Sequence, residues 1–241
     1  MSPKLRVAGL SQAFGGIRAV HDCSFDVDPG TVVGLIGPNG SGKTTVFNLI
    51  VNLLRPDAGR VLYDGARIDG LPPYQVARRG IGRTFQSVKI FRALSVWDNL
   101  AIAAMARARP RWEGDGARWL ERLGLAHLRD GSAGSLSVGQ QRLLELAMNL
   151  LVEPAFLLLD EPLAGVHPVI RAQIAELLRA LRGQGRTFLV IEHHMPFVMG
   201  LCDKLVVLDH GEKIAEGPPA DIRRDERVIA ALLGQRPAAS G

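Results

Sequence analysis

The sequence predicts an α/β fold with a mostly parallel sheet, an antiparallel β subdomain near the N-terminus and an inserted α-helical subdomain. Apolar runs at residues 156–159, 187–191 and 205–208 are typical of buried strands, and a helical pattern at 168–181 separates the first two. Short strand patterns and turn residues dominate the first 70 residues, whereas residues 91–152 are mainly helical in spacing. Together these patterns favour one layered α/β unit, not two independent domains.

The N-terminal third combines hairpins with the first buried strand. Strands are predicted at residues 6–10 and 23–27, flanking Phe14-Gly15-Gly16, and Pro29-Gly30 turns the chain into an apolar strand at 31–36. After a helix expected at 42–54, strands at 59–63 and 66–68 bracket the hairpin dipeptide Asp64-Gly65. An extended segment, 81–86, follows.

The helical part is expected as an insertion, residues 91–152, between two core segments, 1–90 and 153–241. An Arg/Pro/Gly-rich break at 107–116 separates its first helix from one around Trp119 and Leu120. A third helix has apolar residues at i, i+3, i+4 and i+7 between Leu143 and Leu151. The chain is expected to close with a helix at 225–233 and a frayed end at 236–241.

Composition limits the classes of protein that this chain can belong to. Its 241 residues carry 29 Lys+Arg against 24 Asp+Glu, a mild basic excess that fits a solvated surface better than a nucleic-acid or lipid patch. The two cysteines, Cys23 and Cys202, are far apart and show no metal-ligand spacing, so reduced, packed thiols are expected. No apolar run approaches the roughly 18 residues of a membrane span, and any membrane role is therefore expected to need a partner.

A glycine-rich loop after the strand at 31–36 carries the clearest chemical signal. It fits G-x-x-x-x-G-K-[ST] and consists of Gly37, Pro38, Asn39, Gly40, Ser41, Gly42, Lys43, Thr44 and Thr45. Backbone N–H groups of such a loop converge on a triphosphate, Lys43 reaches the β- and γ-phosphates, and the Thr44 hydroxyl ligates Mg²⁺. The motif predicts a P-loop NTPase core that binds a nucleotide. Phe14, 29 positions before Lys43, is either an adenine-stacking ring or a core residue.

Acidic residues end the strand at 156–159. Asp160 is predicted to hold Mg²⁺, and Glu161 to orient or deprotonate the attacking water. His193 follows the strand at 187–191 and is expected to reach the γ-phosphate or the water, while His194 points elsewhere. Because ligands of parallel sheets bind beyond the carboxyl ends of the strands, Gly37, Gln86, Asp160 and His193 are expected on one edge.

Taken in order, these motifs resemble the ATP-hydrolysing subunits of ABC transporters. The matching set is the phosphate loop, a glutamine loop at Gln86, the signature Leu136-Ser137-Val138-Gly139-Gln140, the acidic pair Asp160-Glu161 and a switch histidine at His193. The resemblance implies catalytic roles for Glu161, His193 and Gln86, with Gln86 also near the metal. It further implies a head-to-tail dimer in which Ser137, Val138, Gly139 and Gln140 contact the ATP of the partner subunit.

A narrower resemblance is to the ATPases of branched-chain amino-acid uptake. It is carried by Gly82-Arg83-Thr84-Phe85-Gln86, Ala164-Gly165 and Ile191-Glu192-His193-His194-Met195. Three departures stand out: Val138 replaces the first glycine of the common signature, His167 stands where Asp or Asn is usual, and Met148-Asn149 occupies a place where Arg is common. His167 lies in a loop expected to bridge subunits, so communication between sites could be altered there.

The resemblance implies an enzyme that powers import of branched-chain amino acids or related small polar solutes. Expected partners are a second ATPase subunit, integral membrane permease subunits and, indirectly, a periplasmic or extracellular solute-binding protein, with the chain peripheral on the cytoplasmic face of the inner membrane. Residues 87–99, with apolar Ile90, Phe91, Leu94 and Val96, are expected to dock a permease helix or, alternatively, to face the core. A soluble ABC ATPase acting on nucleic acid or ribosomes is the alternative function, and a weakly hydrolysing regulatory nucleotide binder is a third.

Overall fold

The computed structural model describes residues 2–106 and 109–233, which form two β-sheets and surrounding helices. The smaller sheet has the order β2-β1-β4-β5, and its strands are β1 (Leu5–Phe14), β2 (Ile17–Val27), β4 (Ala58–Tyr63) and β5 (Ala66–Arg67). The larger sheet has the order β10-β9-β3-β8-β7-β6, and its strands are β3 (Val32–Ile36), β6 (Ile81–Arg83), β7 (Phe156–Asp160), β8 (Thr187–Ile191), β9 (Lys204–Asp209) and β10 (Glu212–Gly217).

The helices fall into two groups. Those that connect or follow strands are α1 (Lys43–Ile50), α2 (Pro73–Arg78), α6 (Pro168–Gly183), α7 (Met195–Leu201), α8 (Pro219–Ile222) and α9 (Glu226–Leu232). Those inserted between β6 and β7 are α3 (Val96–Ala106), α4 (Glu113–Arg122) and α5 (Val138–Leu151), with short 3-10 turns at Ala126–Leu128 and Ala133–Ser135.

The larger sheet confirms the predicted α/β class. Strands β9, β3, β8, β7 and β6 run parallel, and β10 pairs antiparallel with β9 at one edge. Buried side chains alternate between the two faces: Leu157 and Leu159 pack with the helical insertion, whereas Phe156 and Leu158 pack with the antiparallel sheet. Because both faces are covered, the strands are apolar throughout, which made them visible in the sequence.

Some boundaries differ from the predictions for local reasons. Helix α4 begins at Glu113, inside the predicted break, because Glu113 and Asp115 suit its first turn and Gly116 permits close packing on Trp112, whose ring a Cβ would approach to 2.9 Å. Helix α1 ends at Ile50, before the predicted limit; Asn52 adopts a left-handed conformation and donates to two backbone carbonyls beyond it.

Other elements have no counterpart among the predictions. Helices α2, α7 and α8 and strand β10 are short, and all four begin at or next to a proline or glycine that reads as a turn in the sequence. The closing helix was predicted correctly to within one residue at each end, with Asp225 as its N-cap. The start of the predicted 107–116 break and the predicted frayed end at 236–241 lie outside the described residues.

The thiols agree with the sequence-based expectation of buried, unpaired cysteines. Cys23 and Cys202 are both free and buried, and burial raises the pKa of each thiol to about 12. Within residues 2–106 and 109–233, none of the helices has the length and apolar character that crossing a membrane requires.

Candidate nucleotide-binding site

The phosphate loop lies between β3 and α1, and its glycines are there for steric reasons. Gly37 (φ 148°) and Gly42 (φ 99°) adopt conformations open mainly to glycine, and a Cβ on either would come within 2.0 Å of the Leu208 carbonyl or 2.3 Å of the Ala19 carbonyl. Lys43 folds back over the loop, and its Nζ donates to the carbonyl oxygens of Gly37 (2.9 Å) and Pro38 (2.7 Å). These contacts within the loop thus fix the position of the Lys43 ammonium.

A cavity of about 310 Å³ opens beside this loop. Its lining combines loop residues with polar side chains from neighbouring strand ends: Ala19, Asn39, Gly40, Gly42, Lys43, Thr44, Thr45, Gln86 and Glu161. Burial lowers the pKa of Lys43, and the nearby Glu161 and Asp160 carboxylates oppose that shift. The cavity therefore joins a fixed cation, backbone donors and a carboxylate, the set that a triphosphate and an attacking water need.

Helix α1 starts at this cavity with its N-terminal N–H groups uncapped. Its N-cap is Gly42, in a left-handed conformation, and no side chain caps the first turn. Uncapped N–H groups and the helix dipole together form an anion site. Loop and helix thus both present positive character to the cavity.

Asp160 ends β7 and forms a buried ion pair with Arg83. The Arg83 guanidinium donates to Asp160 Oδ2 (3.1 Å) and to Asn48 Oδ1 (2.7 Å), and it stacks over the rings of Phe47 and Phe85. Burial raises the pKa of Asp160, and the Arg83 charge opposes that shift. The other oxygen, Oδ1, is buried without a hydrogen-bond partner.

The residues around Asp160 fit a Mg²⁺ ion held partly by phosphate oxygens. An orphaned buried carboxylate oxygen is a costly feature that a cation or its water would satisfy. Thr44 and Gln86 line the adjacent cavity. Among the described residues no cluster of three or more His, Cys, Asp or Glu could hold a metal by itself.

Glu161 faces the same cavity in an unusual backbone conformation. Its φ is 47°, in the left-handed region that non-glycine residues rarely adopt, and such strain clusters at functional sites. The Gln86 amide approaches Glu161 Oε2 at 3.5 Å, the limit of a hydrogen bond. The structure therefore brings together Lys43, Thr44, Gln86 and Glu161 from three separate segments.

His193 and His194 follow β8 and differ in exposure and in hydrogen bonding. The His193 side chain is 70% exposed and does not line the cavity as formed by the described residues. The His194 ring instead caps α7, with Nδ1 accepting from the Phe197 N–H at 3.3 Å. His193 is thus free for a ligand or partner, whereas His194 has a structural role.

The signature segment lies at the N-terminus of α5 and outside the cavity lining. Ser137 and Gln140 form a capping box: Ser137 Oγ accepts from the Gln140 N–H, and Gln140 Oε1 accepts from the Ser137 N–H. Val138 is 54% exposed, whereas Gly139 is buried. A Cβ at position 139 would lie 2.6 Å from Ile170 Cδ1, so the close packing there requires glycine. Ser137 and Val138 are therefore presented to solvent at the start of a helix.

His167, the departure noted in the bridging loop, caps α6. Its Nδ1 accepts from the Val169 N–H at 3.4 Å. Asp and Asn are preferred N-caps for the same reason, since each offers a side-chain acceptor to the first turn. The imidazole thus performs locally the role of the more usual residue. Met148 and Asn149, the other departure, are half-buried and line an apolar groove described below.

Two predictions about apolar residues are corrected by burial. Phe14, at the end of β1, is 47% exposed, so the core alternative is wrong; it does not line the cavity as described. Val96 is fully buried and Ile90 is half-buried against the core, so neither is free to dock a partner. Phe91 and Leu94 remain exposed, and they are the apolar residues named for docking that a partner could still reach.

A second buried ion pair ties the glutamine loop to α5. Arg142 donates to the carbonyls of Phe85 and Gln86 (2.7 Å each) and to Glu145 Oε2 (3.0 Å), while Glu145 Oε1 accepts from the Phe85 and Lys89 N–H groups (3.4 and 3.1 Å). The backbone of Gln86 is therefore hydrogen-bonded to the helix whose first residues form the signature.

An apolar groove lies on the other side of this loop. Its volume is about 340 Å³. Its lining comes from α2, β6, α3, α5 and adjoining turns, including the turn after α1: Val51, Leu53, Pro73, Val76, Ala77, Ile81, Gly82, Arg83, Phe85, Ala103, Ala106, Met148, Asn149 and Val152. Arg83 is part of both the groove and the Asp160 ion pair.

A strand, phosphate loop and helix beside an acidic strand end define a P-loop nucleotide-binding ATPase. A family model for ABC transporters matches residues 20–164, and a model for branched-chain amino acid ATP-binding cassette transporters matches residues 212–236. The chain belongs to the ABC transporter family and is an ATP-binding, ATP-hydrolysing subunit of that family.

Individual relatives cover nearly the whole chain. It is 39% identical, over 97% of its length and 98% of the relative, to the high-affinity branched-chain amino acid transport ATP-binding protein LivG of Escherichia coli (strain K12). It is 38% identical, over 96% and 97%, to the lipopolysaccharide export system ATP-binding protein LptB of the same organism. The ADP conformation of MJ1267, an ATP-binding cassette of an ABC transporter, superposes with a TM-score of 0.88 at 32% identity, covering 98% of this chain and 100% of that one.

Sequence reasoning missed the residues that support the site from behind. The sequence gives no indication that three charged side chains within or near the motifs are buried. These residues are Arg83, Glu145 and Glu192. For Arg83 and Glu192, the available signal was the position of a charged residue at a strand end, where an unpaired buried charge would be costly.

Proposed function

We propose that this chain energises the import of branched-chain amino acids or related small polar solutes, by ATP-driven closure of a dimer of ATPase subunits. The observation that carries the import direction is the match of residues 212–236 to the branched-chain cassette model, because this region lies outside the general ABC match at 20–164. The likeness to LivG supports the same assignment, while the likeness to LptB supplies lipopolysaccharide export as the competing one.

Within one subunit, the loop residues Gly37 to Thr45 bind the triphosphate. Lys43 neutralises the β- and γ-phosphates, and the first-turn N–H groups of α1 donate to them. Thr44, Gln86 and Asp160 would hold Mg²⁺, whose charge screens the phosphates during transfer. Asp160 offers Oδ1 for this purpose while Arg83 holds Oδ2.

Glu161 is the residue that prepares the attacking water. Its carboxylate faces the cavity beside Lys43, and the Gln86 amide lies at its side. Glu161 accepts the water's proton. His193 follows β8, the strand beside β7 in the sheet, and contacts the γ-phosphate once the dimer closes.

Closure of the dimer would complete the site. Ser137, Val138, Gly139 and Gln140 of one subunit contact the ATP held by the phosphate loop of the other, and residues 91–152 carry them as a subdomain between the core segments 1–90 and 153–241. Support comes from the exposure of Ser137 and Val138 at a helix N-terminus away from the cavity of their own chain. The second subunit is an identical chain or a paralogue.

A membrane permease is the partner that converts closure into transport, and it places the chain on the cytoplasmic face of the inner membrane. We assign its contact to the apolar groove and to the exposed side chains of Phe91 and Leu94, which offer apolar surface to a cytoplasmic helix. The solute-binding protein would act through the permease, and no nucleic-acid partner is proposed.

Transport direction is tested in cells that express the chain with its membrane subunits and in which the chromosomal copy is deleted. Uptake of labelled leucine, isoleucine and valine should fall on deletion and return with the wild-type chain, but not with Glu161→Gln. Unchanged uptake of all three, together with loss of lipopolysaccharide export, would replace import by export.

The catalytic assignment has its own test in purified protein. Glu161→Gln should bind ATP but lose at least about 100-fold in kcat, because an amide can position water without accepting its proton. The ATP-bound dimer should accumulate on size-exclusion chromatography with ATP and Mg²⁺. Turnover at the wild-type rate in this variant would remove Glu161 from the role of base.

A further inference from the structure

We propose that Glu192 is a positioning residue for ATP hydrolysis: its buried carboxylate fixes the turn that carries Glu161 to the turn that carries His193. The proposal rests on the proposed roles of Glu161 and His193 and adds a third residue on which both depend.

The Glu192 carboxylate is buried without a basic partner. The residue is 1% exposed and directly follows β8. Among the described residues no lysine or arginine lies within 4.0 Å of it; the nearest titratable nitrogen is His193 Nδ1, 4.0 Å from Oε2. A buried carboxylate of this kind is tolerated only when strong hydrogen bonds replace its water.

Backbone N–H groups provide those hydrogen bonds from two different loops. Oε1 accepts from the Leu163 N–H at 2.9 Å, and Oε2 accepts from the N–H groups of His193 (3.0 Å) and His194 (3.1 Å). Leu163 is two residues after Glu161. One side chain therefore joins the segment after β7 to the segment after β8.

The joined segment after β7 is the strained one. Glu161 has a φ of 47°, and its own N–H donates to the Ile191 carbonyl at 3.0 Å. Pro162 has no N–H to contribute. The hydrogen bond between Leu163 and Glu192 is thus the next anchor along the chain, and it holds the left-handed turn that aims Glu161 at the cavity.

The pattern of donors explains why a carboxylate is used here. Three N–H groups converge on the two oxygens, and an ionised carboxylate is an acceptor at both. A glutamine has one acceptor oxygen, so its NH₂ group would face either the Leu163 donor or the two histidine donors. In either orientation one of the two loops loses its anchor.

Steady-state kinetics of Glu192→Gln test the proposal in the full chain. We expect kcat for ATP to fall about 10- to 100-fold, the scale of a misplaced catalytic group, with KM for ATP changed less than about threefold. ATP affinity and ATP-dependent dimerisation should persist. Glu192→Asp retains both acceptor oxygens on a shorter side chain, so its kcat should lie between wild type and Glu192→Gln; it also serves if Glu192→Gln does not fold.

Asp69→Asn is a control matched for burial. The Asp69 side chain is 5% exposed and accepts from the Val61 N–H at 2.8 Å, but it lies beside the small antiparallel sheet and pairs with Arg67. This variant should lower Tm without lowering kcat, and Glu192→Gln should lower kcat by far more than Asp69→Asn at an equal fall in Tm.

Two results would overturn the proposal: a kcat within twofold of wild type in Glu192→Gln, or a loss of ATP affinity in proportion to a fall in Tm, which would make Glu192 merely structural. Measuring Glu161→Gln in parallel separates this failure from that of the proposed function. An inactive Glu161→Gln beside an active Glu192→Gln rejects only Glu192, whereas an active Glu161→Gln rejects the base assignment itself.

Discussion

Two helices of this molecule begin with residues predicted to contact ATP, and their N-termini are built in opposite ways. Helix α1 starts at Gly42 with no side-chain cap, beside Lys43 and a polar cavity. Helix α5 starts at Ser137 with a complete capping box, and its first residues lie outside the lining of that cavity. The first end leaves its donors for an anion, whereas the second satisfies its donors internally.

This difference indicates which half of the site is self-sufficient. Under the proposed function, the phosphate loop and α1 of one chain supply the groups that bind the triphosphate. The signature residues Ser137 and Val138 are exposed at a capped helix N-terminus, and under the proposed function another subunit must reach them. We therefore expect substitutions at the two ends to fail in different ways.

The largest effect is expected at the α1 end, from Lys43→Ala. Removing the ammonium beside the loop should lower ATPase activity by about 100-fold or more and weaken ATP binding, because this charge is preorganised in the cavity. ATPase assays and calorimetric titration measure both quantities. Lys213→Ala, which removes a surface lysine paired with Glu216, is the control and should retain activity. ATP affinity equal to that of wild type in Lys43→Ala would contradict a self-sufficient loop.

Mixing Lys43→Ala with Ser137→Arg tests whether the α5 end acts on another chain. Each protein alone should be inactive, but a mixed dimer has one site broken twice and one intact, so activity should partly return. Random pairing of equal amounts makes about half the dimers mixed. ATPase activity and ATP-dependent dimerisation are measured across mixing ratios. If mixed dimers form and neither quantity exceeds that of the separate variants, the site is not shared.

Phe14→Ala tests how far the self-sufficient half extends. The ring is exposed and outside the cavity lining, and as an adenine platform it should contribute about 1 kcal/mol, or about fivefold in ATP affinity. The hydrolysis rate of bound ATP should hardly change. Affinities for ATP and for inorganic triphosphate distinguish the cases: only ATP should bind more weakly, and an equal loss for both would argue against stacking.

Gln140→Ala should have the smallest effect, confined to the α5 end. It removes half of the capping box, so the free energy of unfolding should fall by roughly 0.5 to 1 kcal/mol. Chemical denaturation measures this change, and ATP binding to the isolated subunit should be unaffected. Weaker ATP binding by the monomer would show that the two helix ends are not independent.

Features that depend on short, local sequence patterns were predictable. Strand β8 was predicted with its observed bounds, and the phosphate loop and the strand end at Asp160 stood out because apolar runs and glycines mark them directly. Helix periodicity likewise located α5 and α6. The placement of the phosphate loop and Asp160 at one edge of the sheet followed from the rule that ligands bind at the carboxyl ends of parallel strands.

Features that depend on distant contacts were not predictable. The Arg83–Asp160 pair joins residues 77 positions apart, and no period or spacing marks it. Val96 looked like a docking residue because its neighbours are polar, but α3 turns it into the core. The alternative for Phe14 could not be decided for the same reason, since exposure is set by which segments pack over the end of β1.

The position of Arg83 has a consequence for communication across the molecule. Its side chain lines the apolar groove on one side and donates to Asp160 on the other, so a single guanidinium connects the surface proposed for the permease with the carboxylate proposed to hold Mg²⁺. A helix seated in that groove would press on the same group that balances the carboxylate. Arg83 would thus couple a partner in the groove directly to the charge balance at Asp160, without a relay of intervening side chains.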